Sequence, residues 1–232
     1  MSNIKADSAR EIGDKLYALS KKITEFLLDS GYAKEDARYV ALNNMFLFIL
    51  SALMRMSVLV SLDEGVITEE KIREVFRIWS GDLRSVLNEE MKVTRIAFVT
   101  LFQFQVENLF KILLSQLDNQ PIPRKYHPIV DRLLKILDFD NDDKLDKLEI
   151  LAYVRNCLHS NGIHSNDDRT FVIDDYVFEF VKGKSFEKAH WGEIHYMTNS
   201  AFEVIKGILE SDRVKQIPQP LPDQYISDNN DA

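Results

Sequence analysis

The sequence predicts a mainly α-helical protein, a helical bundle with a small β-hairpin inserted before the last helix. Three observations lead there. Apolar residues recur at three- and four-residue spacing through most of the 232-residue chain. Glycine and proline are few, eight and six, as long helices require. Between Thr170 and Val181 the pattern changes to two short alternating or apolar runs around Asp174-Asp175, the mark of a hairpin.

Taken in order, residues 6–29 carry Ile12, Leu16, Leu19, Ile23, Phe26 and Leu27 on one helical side, and Ser30-Gly31 ends the pattern. A second helix is expected from about Glu35 to Leu62. Apolar residues surround it almost completely between Met45 and Leu53, which predicts a place at the centre of the bundle. After the turn at Asp63-Glu64-Gly65, Thr68-Glu69-Glu70-Lys71 opens a helix that leads into Ile72, Val75, Phe76 and Trp79. Ser80-Gly81-Asp82 breaks the pattern before Leu83–Leu87. A long helix is then expected from about Met91 to Leu117, with Glu107 interrupting its aromatic-rich middle. Gln120-Pro121-Ile122-Pro123 is a loop, since its two prolines remove backbone donors. A short helix follows over Pro128–Leu137, and a last one covers about Gly192–Glu210. The organisation expected is an N-terminal helical segment (1–90), a helical bundle with hairpin (91–212) and a disordered tail (213–232).

Charge and cysteine usage narrow the function. A net charge of −8 argues against broad electrostatic binding to nucleic acid or anionic membrane, although a local basic pocket stays open; nothing points to DNA. The single cysteine, Cys157, leaves no internal disulfide or cysteine-based zinc cluster and fits a reducing cytoplasm. Residues 1–30 carry acids throughout, unlike a signal peptide. The run Met45–Leu62 is membrane-like in hydropathy, but Arg55 interrupts it, so it reads as a buried helix and no membrane partner is expected.

The stretch Leu145–His164, LDKLEILAYVRNCLHSNGIH, organises the rest. Leu145, Leu148, Leu151, Ala152, Val154 and Leu158 form one apolar arc, and Asn161-Gly162 supplies the helix stop. Arg155 and His159 fall inside that arc, four residues apart. An Arg there is costly unless paired, so either a carboxylate such as Glu107 or Glu149 compensates it, or the stripe faces a cleft or a partner subunit. An Arg that holds phosphate in bidentate fashion beside a His that moves protons near neutral pH is the equipment for phosphodiester chemistry.

The segment RNCLHSNG, with VENLFKILL around Glu107 and a hairpin before a closing helix, resembles the HEPN superfamily (higher eukaryotes and prokaryotes nucleotide-binding domain) over about residues 91–211. The resemblance implies a homodimer in which Arg-polar-His helices of two copies face each other, often as a metal-independent ribonuclease of toxin or antiviral defence systems. By position, it implies that Arg155 stabilises the charged phosphorane, Asn156 is the polar residue after the Arg, and His159 assists attack by the ribose 2′-OH. Ser160, Asn161, His164 and Glu107 are then substrate-side residues. The family motif usually has four to six residues between Arg and His; here three stand between Arg155 and His159, and eight between Arg155 and His164. The alternative is therefore a non-catalytic module of the same kind that binds RNA or a protein partner.

Two further clusters have plainer readings beside functional ones. Asp138–Glu149 places acids at positions 1, 3, 5, 9 and 12 of a calcium-loop count, but Asp143 stands where such a loop needs glycine. A solvated acidic connector ending in a helix N-cap is the ordinary reading, with a calcium-binding helical protein as the further alternative. Arg124, Lys125, Tyr126 and His127 could contact phosphate or stack a base, or simply start a helix. Trp79 and Trp191 read as core, and His190 and His195 as exposed or locally bonded. No metal site or cofactor motif is read from the chain.

Overall fold

A computed structural model describes residues 8–78, 81–139 and 141–223. It is mainly α-helical, with one two-stranded hairpin before the last helices. Trp79, expected in the core, and Asp140, the third residue of the acidic stretch, lie outside the described residues, as does the tail from 224.

Helix α1 (Ala9–Asp29) begins at a capping box: Ser8 Oγ accepts from the Glu11 amide, and the Glu11 carboxylate accepts from the Ser8 amide at 2.7 Å. Helix α2 (Ala37–Asp63) is capped by Asp36, and α3 (Glu69–Phe76) by Thr68. Helix α4 (Leu83–Leu117) starts where Asp82 accepts from the Ser85 amide at 2.8 Å. It runs unbroken through Glu89 and Glu90, so the Leu83–Leu87 piece and the expected 91–117 helix are one element. The cap at Asp82 explains the join: it supplies a start eight residues earlier than the apolar periodicity suggests.

Helix α5 (Tyr126–Ile136) and helix α6 (Asp142–His159) follow. Strands β1 (Arg169–Ile173) and β2 (Tyr176–Phe180) pair antiparallel, Ile173 opposite Tyr176 across a two-residue turn. Alternation puts Phe171, Ile173, Phe178 and Phe180 inward. Helix α7 (Trp191–Glu210) and the short α8 (Asp212–Lys215), which periodicity does not signal, close the chain.

Helix α4 packs against α2, α5 and α6; α7 packs against α6 and α1; the hairpin rests on α6. One apolar core therefore draws on residues from Ile12 to Leu221. Helix α2 occupies less of that core than its composition suggests. Leu47 and Met54 are exposed, and most of its apolar centre is only partly covered. By length and composition α2 and α4 are each apolar enough to cross a membrane.

The segment after α8 is tied back by a buried clasp. Arg38, without exposed surface, donates to both carboxylate oxygens of Asp36 at 2.8 and 2.7 Å and to the Val214 carbonyl at 3.0 Å. Asp36 in turn accepts from the Leu221 amide at 2.9 Å, and the Ala37 amide donates to the Leu221 carbonyl at 2.8 Å. Residues read from the sequence as tail thus include buried Val214, Ile217 and Leu221.

Candidate functional site

Local sequence sets where α6 begins and ends. Asn141 accepts from the Lys144 amide at 2.9 Å, and Asp142 and Asp143 lie in the first turn, where negative charge suits the helix dipole. At the other end Asn161 (φ +54°) and Gly162 (φ +85°) are both left-handed, and the Gly162 amide returns to the Cys157 carbonyl at 2.7 Å. That stop leaves Arg155 and His159 near the open end of the helix.

Arg155 is half-buried, with 26% of its side chain exposed. Its Nε and Nη2 donate to Asn156 Oδ1 at 3.3 and 3.1 Å, and Nη1 stands 4.0 Å from Glu107 Oε2. Glu107 is held more closely by Lys111, whose Nζ donates at 2.6 Å. Two cations therefore share one carboxylate, and the cluster carries a net positive charge within a protein of net negative charge. His159 is exposed, and its Nε2 lies 3.1 Å from Thr100 Oγ1. Helices α4 and α6 run antiparallel here: Thr100 meets His159, and Glu107 meets Arg155.

The remaining sequence-predicted residues divide. Ser160 caps α6 through its amide, and Asn161 is exposed in the turn. His164 does not join Arg155 and His159 at the surface. It is 1% exposed, donates from Nε2 to the Asp167 carbonyl at 2.9 Å, and stacks on Tyr153. Because that partner is a carbonyl, Nε2 carries the proton. Nδ1 stands 3.6 Å from the Cys157 sulfur. Burial pushes the Cys157 thiol up to about 11, which suits a structural rather than a reactive cysteine.

In the basic-aromatic cluster, Arg124 and Lys125 are exposed, while the Tyr126 hydroxyl donates to the Leu148 carbonyl at 3.2 Å. Burial raises the Tyr126 hydroxyl well above its ordinary value. His127 Nδ1 bonds the Glu149 carboxylate across the α5–α6 contact. Glu149 is buried, and its burial holds the carboxyl above the ordinary range despite His127.

The acidic count Asp138–Glu149 does not form a twelve-residue loop, since the chain is helical from Asp142 onward. Three of its acids are engaged by different partners: Asp143 with Lys147 at 2.9 Å, Asp146 with Arg169 at 2.8 Å, and Glu149 with His127. Among the described residues no three or more His, Cys, Asp or Glu side chains gather where they could hold a metal ion.

Two contributors escaped the sequence reading. Lys111 lies four residues after Glu107 on one helix, a spacing that signals a pair. Thr100 gave no such signal, because its contact with His159 exists only once α4 and α6 pack. No family model, curated protein or solved structure matches the chain.

Proposed function

We propose that this chain is a HEPN-like protein that acts on RNA as a homodimer, with Arg155 and His159 as the phosphodiester-handling pair. The observation that carries this reading is the surplus of positive charge where Arg155 and Lys111 share Glu107, beside an exposed His159. In cleavage, His159 takes the proton of the ribose 2′-OH as that oxygen attacks phosphorus. Arg155 holds the non-bridging oxygens of the phosphorane. The bond to the 5′ oxygen breaks, that oxygen takes up the proton His159 had accepted, relayed through solvent, and the products are a 2′,3′-cyclic phosphate and a 5′-OH end.

An exposed apolar stripe favours the dimer. At about 100° per residue, Val93, Ala97, Leu101 and Phe104 of α4 share one face with Thr100, the partner of His159. Val93 and Phe104 are each 58% exposed. An apolar strip of this kind beside a polar pair is what an association face presents.

The test is incubation of a mixed RNA pool with the protein in EDTA, beside Arg155→Ala and His159→Ala, with light scattering on the same samples. The expected result is cyclic-phosphate ends from a wild-type dimer, lost in both variants. Intact RNA with a folded dimer overturns the nuclease reading. A second reading, a non-catalytic RNA- or protein-binding module, is favoured by the engagement of Arg155 with Asn156 and of His159 with Thr100. Retention of RNA without cleavage, lost in Arg155→Ala, supports that reading.

A further inference from the structure

Packing carries the basic-aromatic cluster at the start of α5 toward the Arg155 face. The Tyr126 hydroxyl reaches the Leu148 carbonyl at 3.2 Å and His127 bonds Glu149, so the start of α5 lies across α6 at Leu148–Glu149. At about 100° per residue, Leu148, Arg155 and His159 fall within about 40° of one another around α6. The helix rises about 10 Å from Leu148 to Arg155 and about 16 Å from Leu148 to His159. Helix α4 runs the other way, so Lys111, one turn past Glu107, lies toward the same end. His159, Arg155, Lys111 and the Arg124–Lys125 pair therefore follow one another along the α4–α6 seam.

Nothing in the fold accounts for Arg124 and Lys125. Both are exposed, and among the described residues no hydrogen bond or ion pair engages either side chain. They stand just before a helix whose first turn carries no acid, where positive charge opposes the helix dipole. The backbone that carries them is nonetheless fixed. Arg132 donates to Asp118 at 2.6 Å and to the Pro121 carbonyl at 2.8 Å, and Pro123 restrains the chain immediately before Arg124. The nearby carboxylates are taken, Asp118 by Arg132 and Glu149 by His127. That leaves Arg124, Lys125, Lys111 and Arg155 against Glu107, a positive seam on a chain of net charge −8.

A ligand that uses the whole seam is a polyanion at least about 16 Å long. At the ~3.4 Å per residue of a stacked strand, that is about five nucleotides. A single row of cations tracks one backbone, as single-strand binding requires. We infer that Arg124 and Lys125 form a flanking phosphate subsite, so that the site takes a single RNA strand and holds its backbone beyond the phosphate at Arg155. This inference rests on the RNA reading of the Arg155 site and extends it from one phosphate to a strand.

The probe is a labelled 2′-O-methyl octaribonucleotide, whose blocked hydroxyl lets fluorescence anisotropy read binding without cleavage. Titrations at roughly 50–200 mM KCl give the salt slope. Four backbone contacts predict a slope of log K against log salt of about −2.8, and Arg124→Ala/Lys125→Ala should reduce it to about −1.4. At about 100 mM salt the double variant should bind on the order of 25-fold more weakly. The replaced side chains bond nothing in the fold, so it should melt with the parent. A dinucleotide competitor, which spans Arg155 alone, should bind both chains alike. Lys21→Ala/Lys34→Ala, which removes two exposed cations at α1 and just after it, should leave the slope unchanged. An octamer that binds the Arg124→Ala/Lys125→Ala chain as tightly as the parent, but is lost by Arg155→Ala, overturns the subsite and leaves the Arg155 reading standing. Equal loss in the Lys21→Ala/Lys34→Ala chain overturns the subsite as a general effect of charge. A parent that retains no octamer overturns both readings.

Discussion

Arg38 and Arg155 each stand on a long helix beside a carboxylate, in opposite circumstances. Arg38 has no exposed surface and places its donors on both oxygens of Asp36 and on the Val214 carbonyl. Its charge lies 4.5 Å over the Tyr32 ring as well. Arg155 keeps a quarter of its side chain open, borrows the Asn156 amide oxygen, and stands 4.0 Å from a carboxylate already taken by Lys111. The difference separates a cation that closes a fold from one with donors to spare. A buried ion pair whose partners are all satisfied is costly to break, because removing one member strands the other. A half-open cation that shares its counter-ion contributes little to stability and is available to a ligand.

The largest expected effect is at the clasp. Arg38→Ala should lower the free energy of unfolding by about 3–5 kcal/mol, since Asp36 is left charged and buried. Arg155→Ala should cost less than about 1 kcal/mol. Urea denaturation of the two variants beside the parent checks both; similar losses would erase the distinction drawn above.

The clasp also has a pH signature. Burial alone would raise the Asp36 carboxyl, but hydrogen bonds from Arg38 and from the Leu221 and Arg38 amides outweigh it and hold it below its ordinary value. A depressed folded value means that its contribution is complete above about pH 4 and is lost as pH falls through the lower folded value. The stability gap between the parent and Asp36→Asn should therefore stay constant from neutral pH down to about pH 5 and shrink only in stronger acid. A gap that narrows already near neutrality would mean that another group governs the clasp.

His127 should give an intermediate effect. Glu149 is raised by burial, so its protonated form is favoured in the fold and stability falls as pH rises from the unfolded value toward the folded one. His127→Ala leaves that carboxylate buried without its partner, at an expected cost of about 1–3 kcal/mol at neutral pH and less near pH 4. Adding Glu149→Gln to His127→Ala should flatten the pH dependence. A slope that persists would place its origin elsewhere.

The smallest effect on stability is expected at Arg155 itself, where the informative readout is RNA rather than unfolding. A stable Arg155→Ala chain that no longer cleaves or retains RNA would sharpen the contrast with Arg38. A variant that unfolds would reduce Arg155 to a second structural ion pair.

Helix periodicity, the start signal at Thr68 and the change to alternation at Thr170 are local signals and made most elements legible from the sequence, whereas the caps at Ser8, Asp36 and Asp82 and the short α8 went unread. The same local logic put Arg155 and His159 at i and i+4 near a glycine stop. What the chain could not specify by itself was which carboxylate each cation would meet. Glu107 and Glu149 were both open to Arg155, and packing gave the first partly to Arg155 and the second to His127. His164 stands five residues after His159 and differs from it in nothing but position, yet the turn at Asn161-Gly162 carries it into the core while His159 stays outside. The Arg38–Leu221 clasp spans most of the chain length. Periodicity and capping act within a few residues and are written in order along the chain. Pairing, burial and the lack of a partner depend on which distant surfaces come together, and that was decided only when α4 settled against α2, α5 and α6.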